Sequence, residues 1–439
     1  MNEDNFTYFS LSKEIEKAID QLGFIKPTPI QKKAIPLILN GESIIGRSQT
    51  GSGKTHAYLL PLFNQLDKNL NEVQIVITLP TRELATQIFQ EVKNMIQLLN
   101  QESFITAKLL IGGMDKQRMI RELKNPPHIV VGTPGRILDL INEEVLTIYT
   151  AESFVIDEAD LMLDLGFIET IDQLLVRSKK DIQLLVFSAT IPMRLEHFLK
   201  KYLKQPIYVK IEDEIVPKQI EHRLIAKKYR NELQILNEIR SSIQPYLAIV
   251  FTNGKETAEI VATELQKNDV DAVVLHGGLT PRERKRNLKK ILQLECHYIV
   301  ATDLASRGID IKGVSHVINL ELPKEEHFYV HRAGRTARAG MDGVVISIYD
   351  EQDIPLIKNL ENKGIYFQYV EVKDGQWETV REWNYRKRRK DTFSSRIEDE
   401  AWKRVKKPKK IKPGYKKKMK QEQQKIKKKL IKKSKSKRK

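Results

Sequence analysis

The 439-residue chain contains a single cysteine, Cys296, and has no uninterrupted apolar run of about 18 residues. One cysteine excludes a disulfide within the chain, which fits a protein of the reducing cytoplasm. Cys296 stands in an apolar, strand-like run, so we expect a buried and inert thiol. The chain also lacks an N-terminal secretory h-region, which predicts a cytoplasmic protein that is neither secreted nor membrane-spanning.

The excess of positive charge is confined to one end of the chain. The net charge is +18, yet residues 1–384 carry 48 Lys and Arg against 52 Asp and Glu, and residues 385–439 carry 27 against 5. The basic segment has no apolar periodicity long enough to build a core, so residues 376–439 are predicted to form a largely disordered tail. A block this dense favours a tether for RNA or another polyanion, with a solvated solubility tail as the alternative.

The rest of the chain alternates short apolar runs with helical stretches, the pattern of doubly wound parallel α/β sheets. Eleven strands are predicted, at residues 43–45, 74–79, 107–111, 129–131, 154–156, 184–187, 247–251, 272–275, 298–300, 316–320 and 344–348. The polar residues 212–218, which include Pro217, predict a linker between two domains, 1–211 and 219–375. Because ligands bind at the carboxyl ends of such strands, the two sheets should face each other across a cleft.

A glycine-rich turn follows the first predicted strand, with the sequence GRSQTGSGKT at residues 46–55. Its backbone N–H groups and the start of the next helix favour a bound phosphate. We expect Lys54 to reach the β- and γ-phosphates and the Thr55 hydroxyl to bind Mg²⁺. The general phosphate-loop pattern has glycine where this chain has Ser48. For the segment alone, a turn without a ligand is the alternative.

Two consecutive carboxylates end the predicted strand at residues 154–156, in the sequence Asp157-Glu158-Ala159-Asp160. Adjacent strand residues point to opposite faces, so one carboxylate can hold a metal while the next reaches elsewhere. In nucleotide hydrolysis these two tasks are holding Mg²⁺ and positioning the attacking water. A solvated turn is the alternative for an isolated motif, but together with the phosphate loop the pair predicts a nucleoside triphosphate site.

The second half has no phosphate loop, but it contains the sequence HRAGRTAR at residues 331–338. Arg332, Arg335 and Arg338 are spaced by three, so on a helix successive members share a face. Guanidinium groups in this arrangement suit the charge that spreads over a triphosphate during γ-phosphoryl transfer. A basic surface patch is the alternative. The interpretation predicts that hydrolysis depends on closure of the two domains.

Upstream, the sequence GFIKPTPIQ at residues 23–31 follows Phe6 by 17 positions. With these residues, the chain from about Phe6 to Val372 resembles the DEAD-box RNA helicases of superfamily 2, of bacterial type. The resemblance implies two RecA-like domains that bind ATP, with Phe6 stacking on adenine and Gln31 reading its edge through a donor and an acceptor. It places the ATP-binding set at Phe6, Phe24, Gln31, Thr50, Gly51, Ser52, Gly53, Lys54, Thr55, Gly308 and Asp310.

The same resemblance implies the catalytic and coupling roles. Catalysis is assigned to Lys54, Asp157, Glu158, Arg335 and Arg338, with Mg²⁺ held by Thr55 and, through water, by Asp157. Asp160, Ser188, Thr190 and His331 would couple hydrolysis to strand separation. Ser48 and Ser306 stand where the family usually has alanine, and both changes are expected to be tolerated.

The residues that resemble the family's RNA contacts are hydroxyls, glycines and arginines, which grip phosphates and sugars without reading bases. They are Pro80, Thr81, Arg82, Gly112, Gly113, Thr133, Pro134, Gly135, Arg136, Thr252, Arg284, Thr302 and Asp303. Each alone would pass as turn chemistry or a helix cap. Pro281 replaces the glutamine of the family's Q-x-x-R segment, which leaves Arg284 without its usual companion.

The resemblance implies an ATP-dependent RNA helicase with RNA-stimulated ATP hydrolysis, which unwinds short duplexes locally or remodels RNA–protein complexes. Related bacterial proteins act in ribosome assembly, RNA decay and cold adaptation, so ribosomal or degradosome components are expected partners besides RNA. We expect a monomer without membrane contact. Two alternatives stay open: an ATP-gated RNA clamp or assembly scaffold with little unwinding, and a DNA helicase.

Overall fold

The computed structural model describes residues 5–48, 51–203, 205–211, 219–303, 311, 313–337, 341–382, 400–402, 404–405 and 415–436. The chain divides into two compact units, Met1–Phe367 and Gln368–Lys439, and the first unit contains two parallel sheets. Within the described ranges, no helix is long and apolar enough to cross a membrane. The predicted linker, residues 212–218, lies outside the described residues.

The first sheet has seven strands in the described part of the chain, in the order β3-β4-β2-β5-β6-β1-β7. Every pair recorded between neighbours is parallel. The strands are β1 (Ile44–Arg47), β2 (Ile75–Thr78), β3 (Ala107–Leu110), β4 (Ile129–Gly132), β5 (Ser153–Ile156), β6 (Gln183–Ser188) and β7 (Ile207–Lys210). Because β6 pairs with both β5 and β1, the segments that follow these three strands lie side by side at the carboxyl edge.

Helices cover both faces of this sheet, as the alternation of buried side chains requires. Ile77, Val155 and Leu185 belong to one apolar cluster, whereas Val76 and Val186 belong to the cluster on the opposite face. A short 3₁₀ turn precedes the helices at Phe6–Phe9. The helices are α1 (Lys13–Gln21), α2 (Pro29–Leu39), α3 (Lys54–Gln65), α4 (Arg82–Leu98), α5 (Lys116–Glu122), α6 (Pro134–Asn142), α7 (Ala159–Asp164), α8 (Ile168–Val176) and α9 (Met193–Lys200).

The second sheet repeats this architecture, with strand order β10-β11-β9-β12-β13-β8 inside the first unit. Its strands are β8 (Ile220–Ala226), β9 (Ala248–Thr252), β10 (Ala272–Leu275), β11 (Tyr298–Thr302), β12 (His316–Asn319) and β13 (Gly343–Tyr349). The helices are α10 (Glu232–Ser242), α11 (Lys255–Lys267), α12 (Pro281–Leu292), α13 (Glu326–Ala333) and α14 (Ile354–Asn362). In register, Thr252 lies beside Thr302 at the carboxyl ends of β9 and β11.

The second unit contains an antiparallel hairpin and a long helix. The hairpin pairs β14 (Phe367–Lys373) with β15 (Gln376–Thr379), and the helix α15 spans Tyr415–Ser436. Both β15 and α15 fall within the predicted tail, and most of the residues between them lie outside the described ranges.

The predicted fold class is confirmed, since two parallel α/β sheets are present and each of the eleven predicted strands overlaps an observed one. The strands β7, β8, β14 and β15 were not predicted. Cys296 is buried two residues before β11, and burial raises the pKa of its thiol to about 11, as expected for an inert cysteine.

Candidate active site

The glycine-rich turn joins β1 to α3. Helix α2, which contains Gln31 of the predicted adenine-binding segment, packs directly against this turn. Gly53 caps the start of α3 with a φ of 91°, a backbone conformation that favours glycine. The Gln31 side chain donates from Nε2 to Gly53 O at 3.1 Å and accepts at Oε1 from Thr28 N at 2.9 Å. A Cβ added to Gly53 would lie 2.8 Å from Gln31 Nε2, so the loop and α2 are fitted to each other.

The strand-end carboxylates contact residues of the phosphate-loop helix. Lys54 Nζ lies 3.3 Å from Glu158 Oε1, and the Tyr58 hydroxyl donates to Asp157 Oδ2 at 3.1 Å. Glu158 has a φ of 52°, and its N–H donates to Asp157 Oδ1 at 2.9 Å. This left-handed residue turns the chain from β5 into α7, which brings both carboxylates beside Lys54.

Burial and neighbouring charges together shift the pKa values of Asp157 and Lys54. Burial raises the pKa of Asp157 to about 6, although the nearby Lys54 charge acts in the opposite direction. For Lys54, burial alone would lower the pKa, but Glu158, Asp157 and Asp160 together raise it above the ordinary value. The lysine therefore keeps its charge in a buried site, while the Asp157 carboxylate is one that a nearby cation would stabilise.

The donor set fits Mg²⁺ bound mainly by phosphate and water. Asp157 supplies a buried carboxylate, and Thr55 supplies a hydroxyl one residue after Lys54 in α3. Within the described residues there is no cluster of three or more His, Cys, Asp or Glu side chains that could hold a metal by itself. Mg²⁺ commonly keeps several waters and binds one or two protein ligands together with substrate phosphates.

The aromatic residues of the adenine segment form a cluster in the first domain. Phe6 is buried and stacks on Phe24, with ring centroids 6.4 Å apart and planes inclined by 24°. Phe24 in turn meets the His56 ring edge-on at 4.8 Å, and burial lowers the pKa of His56 to about 4. The structure therefore brings Phe6 and Phe24 together, and their role in binding a base stays a prediction.

All four predicted coupling residues meet at one point between the two sheets. Asp160 Oδ2 accepts from Thr190 N at 3.0 Å and from the Thr190 hydroxyl at 2.9 Å, and Asp160 N donates to Ser188 Oγ at 3.0 Å. His331 of the second domain places Nε2 3.4 Å from Asp160 Oδ2. Burial would raise the pKa of Asp160, but His331, Lys54 and Thr190 hold it below the usual range.

The arginine segment differs from its prediction. The helix α13 ends at Ala333, and Gly334 caps it by donating its N–H to Val330 O. Arg335 follows in a tighter turn whose N–H donates to Arg332 O, so the prediction that Arg332 and Arg335 share a helical face is wrong. Arg335 is buried. Thr50, Gly308, Asp310 and Arg338 lie outside the described residues.

The side-chain contacts of Arg332 were not predicted from the sequence. Its guanidinium holds both Asp303 oxygens, at 2.6 and 2.7 Å, and also donates to Asn253 Oδ1, Asn319 Oδ1 and Glu321 O. The side chain is 1% exposed and joins the carboxyl ends of β9, β11 and β12. Asp303 was predicted to contact RNA, and the structure engages its carboxylate with Arg332 instead of leaving it open.

The predicted RNA contacts divide between the two sheets. In the first domain, the Arg82 guanidinium lies against Gly112 and Gly113, where an added Cβ would come within 2.8 and 2.7 Å of its nitrogens. Pro80 and Thr81 precede α4, with Thr81 as its cap, and Thr133, Pro134, Gly135 and Arg136 open α6. In the second domain, Thr252 and Thr302 lie side by side.

Arg284 of α12 forms a contact that its sequence position did not predict. Its Nε lies 2.5 Å from Glu83 Oε1 of α4, so this ion pair joins the two domains next to the predicted RNA contacts. The helix begins at Pro281, after a capping box formed by Thr280 and Glu283. No local sequence pattern predicts the pair, because the partners are 201 residues apart.

Comparison with known proteins agrees with this geometry. The family profile described as DEAD/DEAH box helicase matches residues 28–198, and the profile of the helicase conserved C-terminal domain matches residues 227–340. The DEAD-box ATP-dependent RNA helicase CshB of Bacillus subtilis (strain 168) is 53% identical over 430 residues, which cover 98% of each chain.

Two solved structures resemble the chain in three dimensions. S. cerevisiae Dbp5 bound to RNA and ADP BeF3 has a TM-score of 0.76 and 29% identity, over 84% of this chain and 96% of that one. Mss116p bound to ssRNA and AMP-PNP has a TM-score of 0.72 and 27% identity, over 91% of this chain and 84% of that one. The chain belongs to the DEAD-box ATP-dependent RNA helicases, which are enzymes that hydrolyse ATP.

Proposed function

We propose that this protein is an RNA-stimulated ATPase that binds single-stranded RNA across both domains and opens short RNA duplexes locally or remodels RNA–protein complexes. One observation carries the proposal. The acidic segment that follows β5 touches both the Ser188–Thr190 segment of its own domain and His331 of the other, at 3.4 Å from Asp160. A change in domain closure therefore reaches the hydrolytic carboxylates through one buried contact.

At the ATP end of the cleft, each role is proposed from the chemistry of the side chain. Lys54 holds the β- and γ-phosphates with its buried positive charge, and Glu158 orients the attacking water. When bound, Mg²⁺ neutralises charge on the phosphates, and Asp157 and Thr55 are the residues that would hold it. Arg335 and Arg338 stabilise the charge that develops on the γ-phosphoryl group once the domains close.

At the RNA end, the proposal rests on groups that recognise the backbone. The Arg82 guanidinium lies against Gly112 and Gly113, and arginine side chains and backbone N–H groups are common contacts of nucleic-acid phosphates. The helix α12 adds six Lys and Arg against one Glu, whereas residues 1–384 as a whole are slightly acidic. Such a surface binds phosphates without sequence preference. Dbp5 and Mss116p, which this chain resembles, were solved with RNA.

A comparison of Glu158→Gln with the parent tests the proposal and separates it from an RNA clamp. The substitution removes the carboxylate that orients water, so we expect ATP turnover to fall by at least about 100-fold while ATP and RNA still bind. The variant should retain RNA in an ATP-dependent manner. The parent should release one strand of a short RNA duplex when ATP is added. RNA-stimulated ATPase activity without strand release would favour the clamp.

A second comparison separates an RNA helicase from a DNA helicase. RNA and DNA of the same sequence differ at the 2′-hydroxyl, so only a site that contacts the sugar will distinguish them. We expect RNA, and not DNA, to stimulate ATP hydrolysis. Equal stimulation would favour a DNA or mixed-substrate helicase.

The cellular role belongs to the same proposal. We propose a cytoplasmic monomer that acts in ribosome assembly, RNA decay or cold adaptation, with ribosomal or degradosome components as partners. Crosslinking the protein to RNA in cells and sequencing the bound fragments would distinguish these processes, because ribosomal RNA precursors and messenger RNA give different profiles.

A further inference from the structure

Two helices that flank the cleft face each other through matched pairs of side chains. On α7, Asp160 and Asp164 are four residues apart, and on α13, His327 and His331 are four residues apart, so each pair shares one helical face. The structure joins Asp160 to His331 at 3.4 Å and Asp164 to His327 at 3.3 Å. The predicted coupling set contains the first pair and neither member of the second.

We propose that Asp164 and His327 form a second interdomain pair, which aligns α13 on α7 when RNA closes the cleft. His327 is thus a positioning residue for RNA-stimulated ATP hydrolysis. The inference rests on the proposed function, because it concerns the closed arrangement that RNA favours.

The chemistry of His327 suits a bridge between acidic groups. Its Nε2 lies 3.3 Å from Asp164 Oδ2, and its Nδ1 lies 3.3 Å from Glu325 Oε2. An imidazolium ion can donate from both nitrogens, whereas a neutral imidazole can donate from only one. The ring also contacts the Phe328 ring, with centroids 4.3 Å apart, and it lies 6.3 Å from the His331 ring at a right angle.

The pair is better shielded than an ordinary surface ion pair. The side chain of His327 is 15% exposed and that of Asp164 is 21% exposed. Partial burial reduces competition from solvent, so a contact here contributes more than a fully exposed one. Asp164 and His327 are absent from the predicted ATP and RNA sets, so their removal spares those contacts.

The second pair fixes the relative orientation of α7 and α13, which the first pair cannot do alone. A single contact between two helices leaves a pivot, whereas two contacts separated by one turn, about 6 Å along the axis, fix the direction of both helices. Arg335 follows α13 by two residues. The orientation of α13 therefore determines where the Arg335 guanidinium points, and an error of about 1 Å at such a group can slow catalysis substantially.

The test is a double-mutant cycle in the full-length protein, with Asp164→Asn, His327→Gln and the double variant. The measurements are the RNA concentration that gives half-maximal ATPase stimulation, the turnover at saturating RNA and the rate without RNA. We expect each single variant to raise the half-stimulating RNA concentration by about 3- to 10-fold, and the double variant to be no worse than either. The rate without RNA should stay unchanged.

Two further variants distinguish positioning from a general loss of stability. His327→Arg keeps a cation within reach of Asp164, so it should restore most of the stimulation. Lys201→Gln removes an exposed ion pair to Asp172 within the first domain and should leave the half-stimulating RNA concentration unchanged. Urea unfolding of each variant identifies any that are destabilised.

Each outcome decides the inference. It is overturned if the single variants match the parent, if their effects simply add in the double variant, or if the Arg variant is as impaired as the Gln variant. A parent that RNA does not stimulate would overturn the proposed function as well. A stimulated parent with unaffected variants would overturn the positioning role of His327 alone.

Discussion

Lys54 Nζ lies 3.3 Å from Glu158 Oε1, and both side chains are buried. The contact joins the phosphate loop to the acidic segment after β5, across 104 residues of sequence. In the proposed reaction, the same lysine binds the β- and γ-phosphates and the same carboxylate orients water. ATP therefore competes with Glu158 for Lys54, and its binding would leave the carboxylate available for the attacking water.

Tyr58 is the first residue whose role can be tested. Its hydroxyl donates to Asp157 Oδ2, so Tyr58→Phe leaves a buried carboxylate with one donor fewer. We expect the free energy of unfolding to fall by about 1–2 kcal/mol and ATP turnover to fall several-fold. Tyr202→Phe is the matched control, because it removes a hydroxyl bond to Asp172 on the surface and should spare turnover. Equal turnover in both variants would contradict the assignment.

Arg332 should stabilise the second domain more than any exposed arginine. Arg332→Lys replaces a guanidinium that makes five hydrogen bonds, including two to Asp303, by an ammonium that cannot reproduce them. We expect a loss of about 3 kcal/mol in urea unfolding. Arg223→Lys, which alters a more exposed bidentate pair with Glu221, should cost less than about 1 kcal/mol. Losses of similar size would show that burial of Arg332 is not decisive.

His222 should make the second domain sensitive to acid. It is buried, its Nδ1 lies 2.8 Å from the Tyr329 hydroxyl, and burial lowers its pKa to about 4. A histidine of lowered pKa contributes stability above its unfolded pKa of about 6.5, and this contribution is lost as the pH falls towards 4. The loss between pH 7 and pH 4 is at most about 3 kcal/mol.

Unfolding of a variant at several pH values checks this expectation. His222→Gln cannot be protonated, so its free energy of unfolding should vary less between pH 7 and pH 4.5 than that of the parent. His197→Gln, at an exposed position of α9, should follow the parent. Parallel curves for the parent and His222→Gln would mean that another group causes the acid sensitivity.

The basic tail should add affinity for RNA without changing the ATP site. Deleting residues 385–439 removes 27 Lys and Arg against 5 Asp and Glu, so fewer counterions are released on RNA binding. We expect weaker binding and a shallower dependence of log Kd on log salt concentration, with an unchanged rate of ATP hydrolysis in the absence of RNA. A full-length variant in which the lysines of α15 are replaced by glutamine separates the effect of the lost charge from that of the shortened chain. Equal salt slopes would exclude the tether.

Much of the fold could be predicted because the strands of a parallel sheet are buried on both faces and read as continuous apolar runs. Four strands escaped prediction, and two of them, β7 and β8, belong to the parallel sheets but lack this property. In β7, Tyr208 is exposed at the edge of the sheet, and β8 contains Glu221, His222 and Arg223 in succession. Their pairing partners in β1 and β13, and not their own composition, determine that they are strands.

The residues of the candidate active site also fall into those that could be predicted from the sequence and those that could not. The phosphate loop and the acidic segment were predictable because each is a consecutive motif at the end of a strand. Tyr58, Arg332 and His327 were not, because each acts on a group that is distant in sequence and carries no local signature. The end of α13 was also misjudged, because the three-residue spacing of the arginines suggested a helix that Gly334 stops.

The most direct test of the split site is the rate of ATP hydrolysis with and without single-stranded RNA, in the parent and in Arg335→Lys. RNA should raise the turnover of the parent by at least about 10-fold, since closure brings the guanidinium to the γ-phosphate. Arg335→Lys should bind ATP and RNA yet remain near the rate of the parent without RNA. A parent that is indifferent to RNA, or a lysine variant that is stimulated as strongly as the parent, would contradict the account.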